Sequence, residues 1–169
     1  MVTHGWAIAE SGDPARGIAQ IGRAREALDA AGSSLRAHLD VVRAQCHLQL
    51  GQIEEGLEAV SAALVYMEAS EERVFAAEIN RLKGELLARD GAHGEEAGAA
   101  FRTAIAIAQS QRAKSWELRA TMSLARWLAA QGRRDEARAT LAEIYNWFTE
   151  GFDTADLKDA KALLDELRA

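Results

Sequence analysis

Residues 77–109, AEINRLKGELLARDGAHGEEAGAAFRTAIAIAQ, decide the fold, because they hold two apolar-periodic segments that meet at Gly91. Ala, Leu, Glu and Arg dominate both, and apolar positions return every three to four residues, so each reads as a helix. Gly91 falls where the first helix must stop, and there a left-handed backbone carries no Cβ penalty. Ala92-His93-Gly94 makes the turn, and Glu95 opens the second helix. Seven residues before Gly91 stands the small Gly84, where two helices are expected to cross closely. Ala97, Phe101 and Ala104 then follow Gly91 as a small, large, small series.

The same phrasing recurs along the chain. Gly12, Gly51, Gly91 and Gly132 are 39, 40 and 41 residues apart. Seven residues before each come Gly5, Ala44, Gly84 and Ala125. After them come Gly17, Gly56, Ala97 and Ala137, then the large Ile21, Val60, Phe101 and Leu141, then Ala24, Ala63, Ala104 and the larger Ile144. Four copies in phase make a tetratricopeptide-like pattern with a period near 40. The expected fold is therefore all-α, an α-solenoid of about four helix pairs in one domain. Its units are 1–32, 33–69, 70–112 and 113–150, with a closing helix at 154–168.

Caps and periodicity place the helices. The first pair runs to about Glu10 and then from Asp13 to Ala31, with Asp13 as N-cap and Pro14 in the first turn. The second spans Ser34–Leu50 and Ile53–Glu68, the third Glu71–Arg89 and Glu95–Gln111 with Ser70 as its cap, and the fourth Ser115–Ala130 and Arg133–Thr149. The closing helix aligns Leu157, Ala160, Leu164 and Leu167 on one stripe. Few residues precede the crossing position Gly5, which is the expectation for a fragment whose parent continues upstream. An apolar edge around Val2, Trp6, Ile18 and Ile21 goes with that expectation.

Bulk properties narrow the function. The chain has 169 residues, a formal net charge of -6 and one cysteine. An acidic balance disfavours a nucleic-acid partner. Cys46, alone within a helical pattern, reads as a small buried thiol, consistent with a cytoplasmic location. No apolar run approaches the ~20 residues that span a bilayer, so no membrane partner is expected. His4, His38, His47 and His93 show no metal-ligand spacing, and no phosphate loop or dinucleotide fingerprint occurs. The expectation is thus no catalytic residue, no metal and no cofactor. Carboxylates at Glu54, Glu55, Glu71 and Glu72 favour helix N-termini. Tyr145, Trp147, Phe148 and Phe152, with Trp116 and Trp127, read as packed core.

Three segments carry a resemblance. AEINRLKGELLARDG (77–91), FRTAIAIAQSQRAKSWELRA (101–120) and WFTEGFDTADLKDAKALLDEL (147–167) resemble the C-terminal tetratricopeptide-type region of bacterial STAND-type and AAA-type ATPase regulators, including those linked to adenylate or guanylate cyclases. The resemblance implies a sensing or coupling arm, with ATPase, cyclase or DNA-binding output lying elsewhere in the parent.

In such a stack the first helix of each pair lines a concave groove. Positions one after the crossing residue are Trp6, Gln45, Glu85 and Arg126, those six before it are His38, Glu78 and Arg119, and those three before it are Val41, Arg81 and Met122. Gln49 and Arg89 lie farther along. Glu78 is expected beside Arg119, and Glu85 beside Arg126, in exposed pairs worth little to stability. The expected partner is a protein, a peptide or another domain of the parent, with a small-molecule effector or self-association into a homo-oligomer as the alternatives.

Overall fold

The structure, a computed structural model, describes residues 13–19, 21, 36–70, 72–91 and 93–168. Every regular element among them is helical. Residues 14–19 form a short helical stretch, followed by α1 (Arg36–Leu50), α2 (Ile53–Ser70), α3 (Ala76–Asp90), α4 (Gly94–Ser110), α5 (Lys114–Ala130), α6 (Arg134–Tyr145) and α7 (Ala155–Glu166). Gly5, Trp6, Gly12, Ala24 and most of the first unit lie outside the described residues, as do Glu71 and Ala92.

The helix ends follow from local chemistry. Gly51, Gly91 and Gly132 all have positive φ, at 71°, 73° and 79°. After α1, Gln52 N–H donates to the His47 carbonyl and Gly51 N–H to that of Leu48, and after α5 Arg133 and Gly132 do the same to Leu128 and Ala129. These bonds satisfy carbonyls that a helix end otherwise strands. α4 ends with the same bonds but with Arg112 in the left-handed position, φ 55°. Asp13 caps its helix, its Oδ1 accepting from Arg16 N–H at 3.0 Å.

Three boundaries differ from expectation. α2 continues through Ser70, whose hydroxyl donates back to the Tyr66 carbonyl at 2.8 Å instead of capping the next helix. α3 starts only at Ala76, because a turn at residues 73–76 drops Phe75 onto the core beside His38. α6 ends at Tyr145, four residues short of the expected Thr149.

Each helix packs against the next, closest within α1–α2, α3–α4 and α5–α6. α1 also touches α3, α3 touches α5 and α5 touches α7, while α2, α4 and α6 do not touch one another. The odd-numbered helices therefore share a face. The buried apolar residues form three clusters: Ala44 and Val60 belong to one across α1, α2 and α3, Phe101, Ala125 and Leu141 to a second across α3 to α7, and Leu39, Val42 and Cys46 of α1 to a third. α7 lays Leu157, Ala160, Leu163, Leu164 and Leu167 on the cluster of α5 and α6. Ile21, expected at an apolar edge, is instead buried against Leu39, Val42 and Cys46.

The crossing glycine is a steric requirement. A Cβ on Gly84 would lie 2.5 Å from the Phe101 ring, which is buried and cannot withdraw. Gly56 meets Leu86 and Gly98 meets Trp127 in the same way. Gly84→Ala gains ~1 kcal/mol of helix propensity yet forces overpacking of ~1–3 kcal/mol. Urea unfolding should therefore show Gly84→Ala less stable than the parent and Gly94→Ala, which meets nothing, neutral or more stable. Equal stability of the two variants would contradict the crossing.

Candidate binding cavity

The shared face of the odd helices carries a cavity of about 330 Å³. α1 contributes His38, Val41, Val42 and Gln45, spaced by three, one and three residues so that they form one helical stripe. α3 brings Glu78, with Phe75 from the turn before it, and α5 brings Trp116 and Arg119, again one turn apart. The start of α7 folds back over this face and adds Ala155 and Asp156 as a further wall.

Beneath Glu78 runs a row of charges. Arg81 grips Glu78 in a bidentate pair, Nε to Oε2 at 2.8 Å and Nη2 to Oε1 at 2.7 Å, both residues buried. Arg119 of the next odd helix shares Glu78 Oε1 at 3.4 Å, meeting the expected neighbour, and lies 5.4 Å over the Trp116 ring. Glu85 accepts from Ser123 Oγ at 2.6 Å and reaches Arg81 at 3.4 Å. Burial alone would lower the Arg81 pKa, but the hydrogen bonds it donates to Glu78 and the charges of Glu78, Glu85 and Asp156 raise it above its ordinary value. The guanidinium stays charged and neutralised in place.

The groove residues read from the sequence thus divide. His38, Gln45, Glu78 and Arg119 line the cavity, and Arg81 and Glu85 lie behind it. Met122 is buried in the core of α5 and α6. Arg89 is spent on structure, its Nη1 donating to the Leu48 carbonyl at the end of α1 at 2.6 Å, and Gln49 is exposed. Arg126 makes no ion pair with Glu85 among the described residues. It lies exposed near Arg134, Leu163 and Glu166, on the rim of a separate depression. Trp6 is outside the described residues. Arg81, Arg119 and Arg126 therefore form no common basic surface, and Arg81 belongs to a buried pair instead of an exposed one.

Phe75, Trp116 and Asp156 were missed. Trp116 is three residues before Arg119 and so shares its face, a signal present in the sequence; Asp156 needs the path of α7. Of the other aromatics, Trp127, Tyr145 and Phe148 pack on the core, whereas Trp147 and Phe152 are exposed.

A second depression, about 200 Å³, lies between α4, α5 and α6 beside Trp147. Three of its polar groups engage one another: Lys114 Nζ donates to Glu117 at 2.7 Å and sits 5.2 Å over Trp147, and Gln109 donates to Glu117 at 3.0 Å. Among the described residues no His, Cys, Asp and Glu group could hold a metal, and no helix is long and apolar enough to cross a membrane.

Two outcomes test this arrangement. Arg81→Met strands the buried Glu78 carboxylate and should cost about 3–5 kcal/mol in urea unfolding, while Arg119→Met, one-third exposed, should cost under about 1 kcal/mol. Equal costs would contradict the burial. Burial also lowers the His38 pKa below its ordinary 6.5. The unfolded chain then binds more protons than the folded one, so the stability this contributes is complete above pH 6.5 and falls as pH drops through the unfolded value. The melting temperature should fall more steeply below pH 6.5 in the parent than in His38→Gln.

Compared with family models, with curated proteins and with solved structures, the chain gives no match.

Proposed function

We propose that the chain is a tetratricopeptide-like solenoid of helix pairs closed by α7, acting as a non-catalytic, ligand-sensing or interaction domain that regulates an ATPase-, cyclase- or transcription-linked module of its parent in the cytoplasm. Support for the solenoid comes from the packing: odd helices touch along one face, even helices do not touch, and left-handed glycines recur with the period. Support for sensing comes from one observation, the cavity walled by α1, α3, α5 and α7. Its volume falls at the small end of ligand pockets, ~300–1,000 Å³, with aromatic and aliphatic walls and a few polar groups. A half-open site of that size suits a small effector or a single inserted side chain more than an extended peptide. A ligand there would touch four helices at once and so bias their relative positions, which is what regulation requires.

Ligand-observed NMR with mixtures of small metabolites and short peptides tests the reading. The expected result is binding by at least one component that disappears in Gln45→Trp, which fills the cavity while leaving the helical spectrum intact. No binding, or binding indifferent to Gln45→Trp, would overturn it.

A further inference from the structure

The walls of the cavity are not all satisfied. Glu78 is fully engaged by Arg81 and Arg119, but the Asp156 carboxylate makes no hydrogen bond or ion pair among the described residues, and the Gln45 side chain makes none either. His38 Nδ1 is shielded from solvent and also unbonded. With the proton on Nε2, Nδ1 is an acceptor, as are the Asp156 carboxylate and the Gln45 amide oxygen, while the Gln45 amide nitrogen is a donor that can turn away from a cation. Of the three, only the His38 Nδ1 is buried, and a buried acceptor without a donor is uncommon and costly, whereas Asp156 and Gln45 are half-buried.

Charge points the same way. Glu78, Asp156 and Arg119 line the cavity, a net formal charge of -1, and the Arg81 and Glu85 behind them cancel. The start of α7 adds only about half a positive charge, less than Asp156 removes. Arg119 is held between Glu78 and the Trp116 face, so its charge is already spent. Phe75, Trp116, Val41 and Val42 leave apolar surface for the remainder of an occupant.

From this we infer that the occupant is a small organic ammonium ion on an apolar stem, its N–H groups donated to Asp156, Gln45 and His38 and its stem lying against Phe75 and Trp116. An ammonium has three donors and no acceptor, which complements this set; aromatic faces add attraction to a cation. The inference rests on the binding-cavity reading above and names the chemistry of its ligand.

Three probes with one apolar body separate the possibilities: phenethylamine, the neutral 2-phenylethanol and the anionic 3-phenylpropionate, each titrated into the whole chain and followed by NMR shifts of the Trp116 indole and the Gln45 amide. The expected result is binding of the amine at least tenfold tighter than that of the alcohol or the acid. Asp156→Asn should weaken the amine at least tenfold and leave the alcohol unchanged. Because Asp156 also serves the first turn of α7, Gln45→Leu is the second variant, expected to weaken the amine without altering α7. Equal or tighter binding of the acid or the alcohol would overturn the ammonium assignment and leave the cavity standing as a ligand site. If none of the three shifts these signals, the ammonium inference fails, and the mixture screen decides separately on the cavity.

Discussion

The close approach of helices at residues without bulk holds this chain together. Gly84 lets the Phe101 ring lie against the backbone of α3, and Gly56 and Gly98 admit Leu86 and Trp127 from the helix that follows. Ala44 and Ala125 occupy the equivalent crossings on α1 and α5, both fully buried. Each contact serves two purposes. It brings one helix near enough to pack its partner at native density, and it determines how far the next odd helix sits from the last. The spacing of α1, α3 and α5, and so the width of the cavity between them, depends on those missing side chains.

Upon that spacing rests the row of charges. Glu78, Arg81 and Glu85 lie on one face of α3 at intervals of three and four, and Arg119 and Ser123 meet them from α5. A buried pair of this kind is weak evidence for stability in itself, since desolvation offsets much of the attraction. The geometric demand lies across the helices: the contacts of Arg119 with Glu78 and of Ser123 with Glu85 are lost if α3 and α5 slide by a fraction of a turn. The charges thereby specify register between two helices whose apolar contacts alone would tolerate some slippage.

How much of this the sequence disclosed varied with the kind of information. The helices were legible because glycine in the left-handed position and small residues at crossings are requirements of the backbone, and Gly51, Gly91 and Gly132 carry them plainly. The start of α3 was not, since Ser70 and two glutamates imitate a helix start while the burial of Phe75, a tertiary effect, decides otherwise. In the cavity, His38, Gln45, Glu78 and Arg119 followed from repeat phase alone. Arg81 was misjudged as surface, because depth within a groove depends on how far neighbouring helices lean together. Arg126, although its phase matches, lines a separate depression with Leu163 and Glu166 of α7. Asp156 could not be found by phase at all, as α7 stands outside the repeat.

The contact pattern also sets an order of opening. Each of α1 to α7 touches, among the described residues, only the helices one or two places along from it, so these contacts are local and folding should be fast. Local contacts also allow subglobal unfolding, in which one element departs while the others stay closed. α7 is docked on α5 and α6 by a single leucine-rich stripe, without a covering helix of its own among the described residues. It is the wall that can undock without dissolving α1 to α4. Loss of α7 from that dock would remove Ala155 and Asp156 from the cavity while the walls from α1, α3 and α5 stayed, so the completeness of the cavity depends on the docking free energy of one short helix, separately from the stability of the rest of the fold.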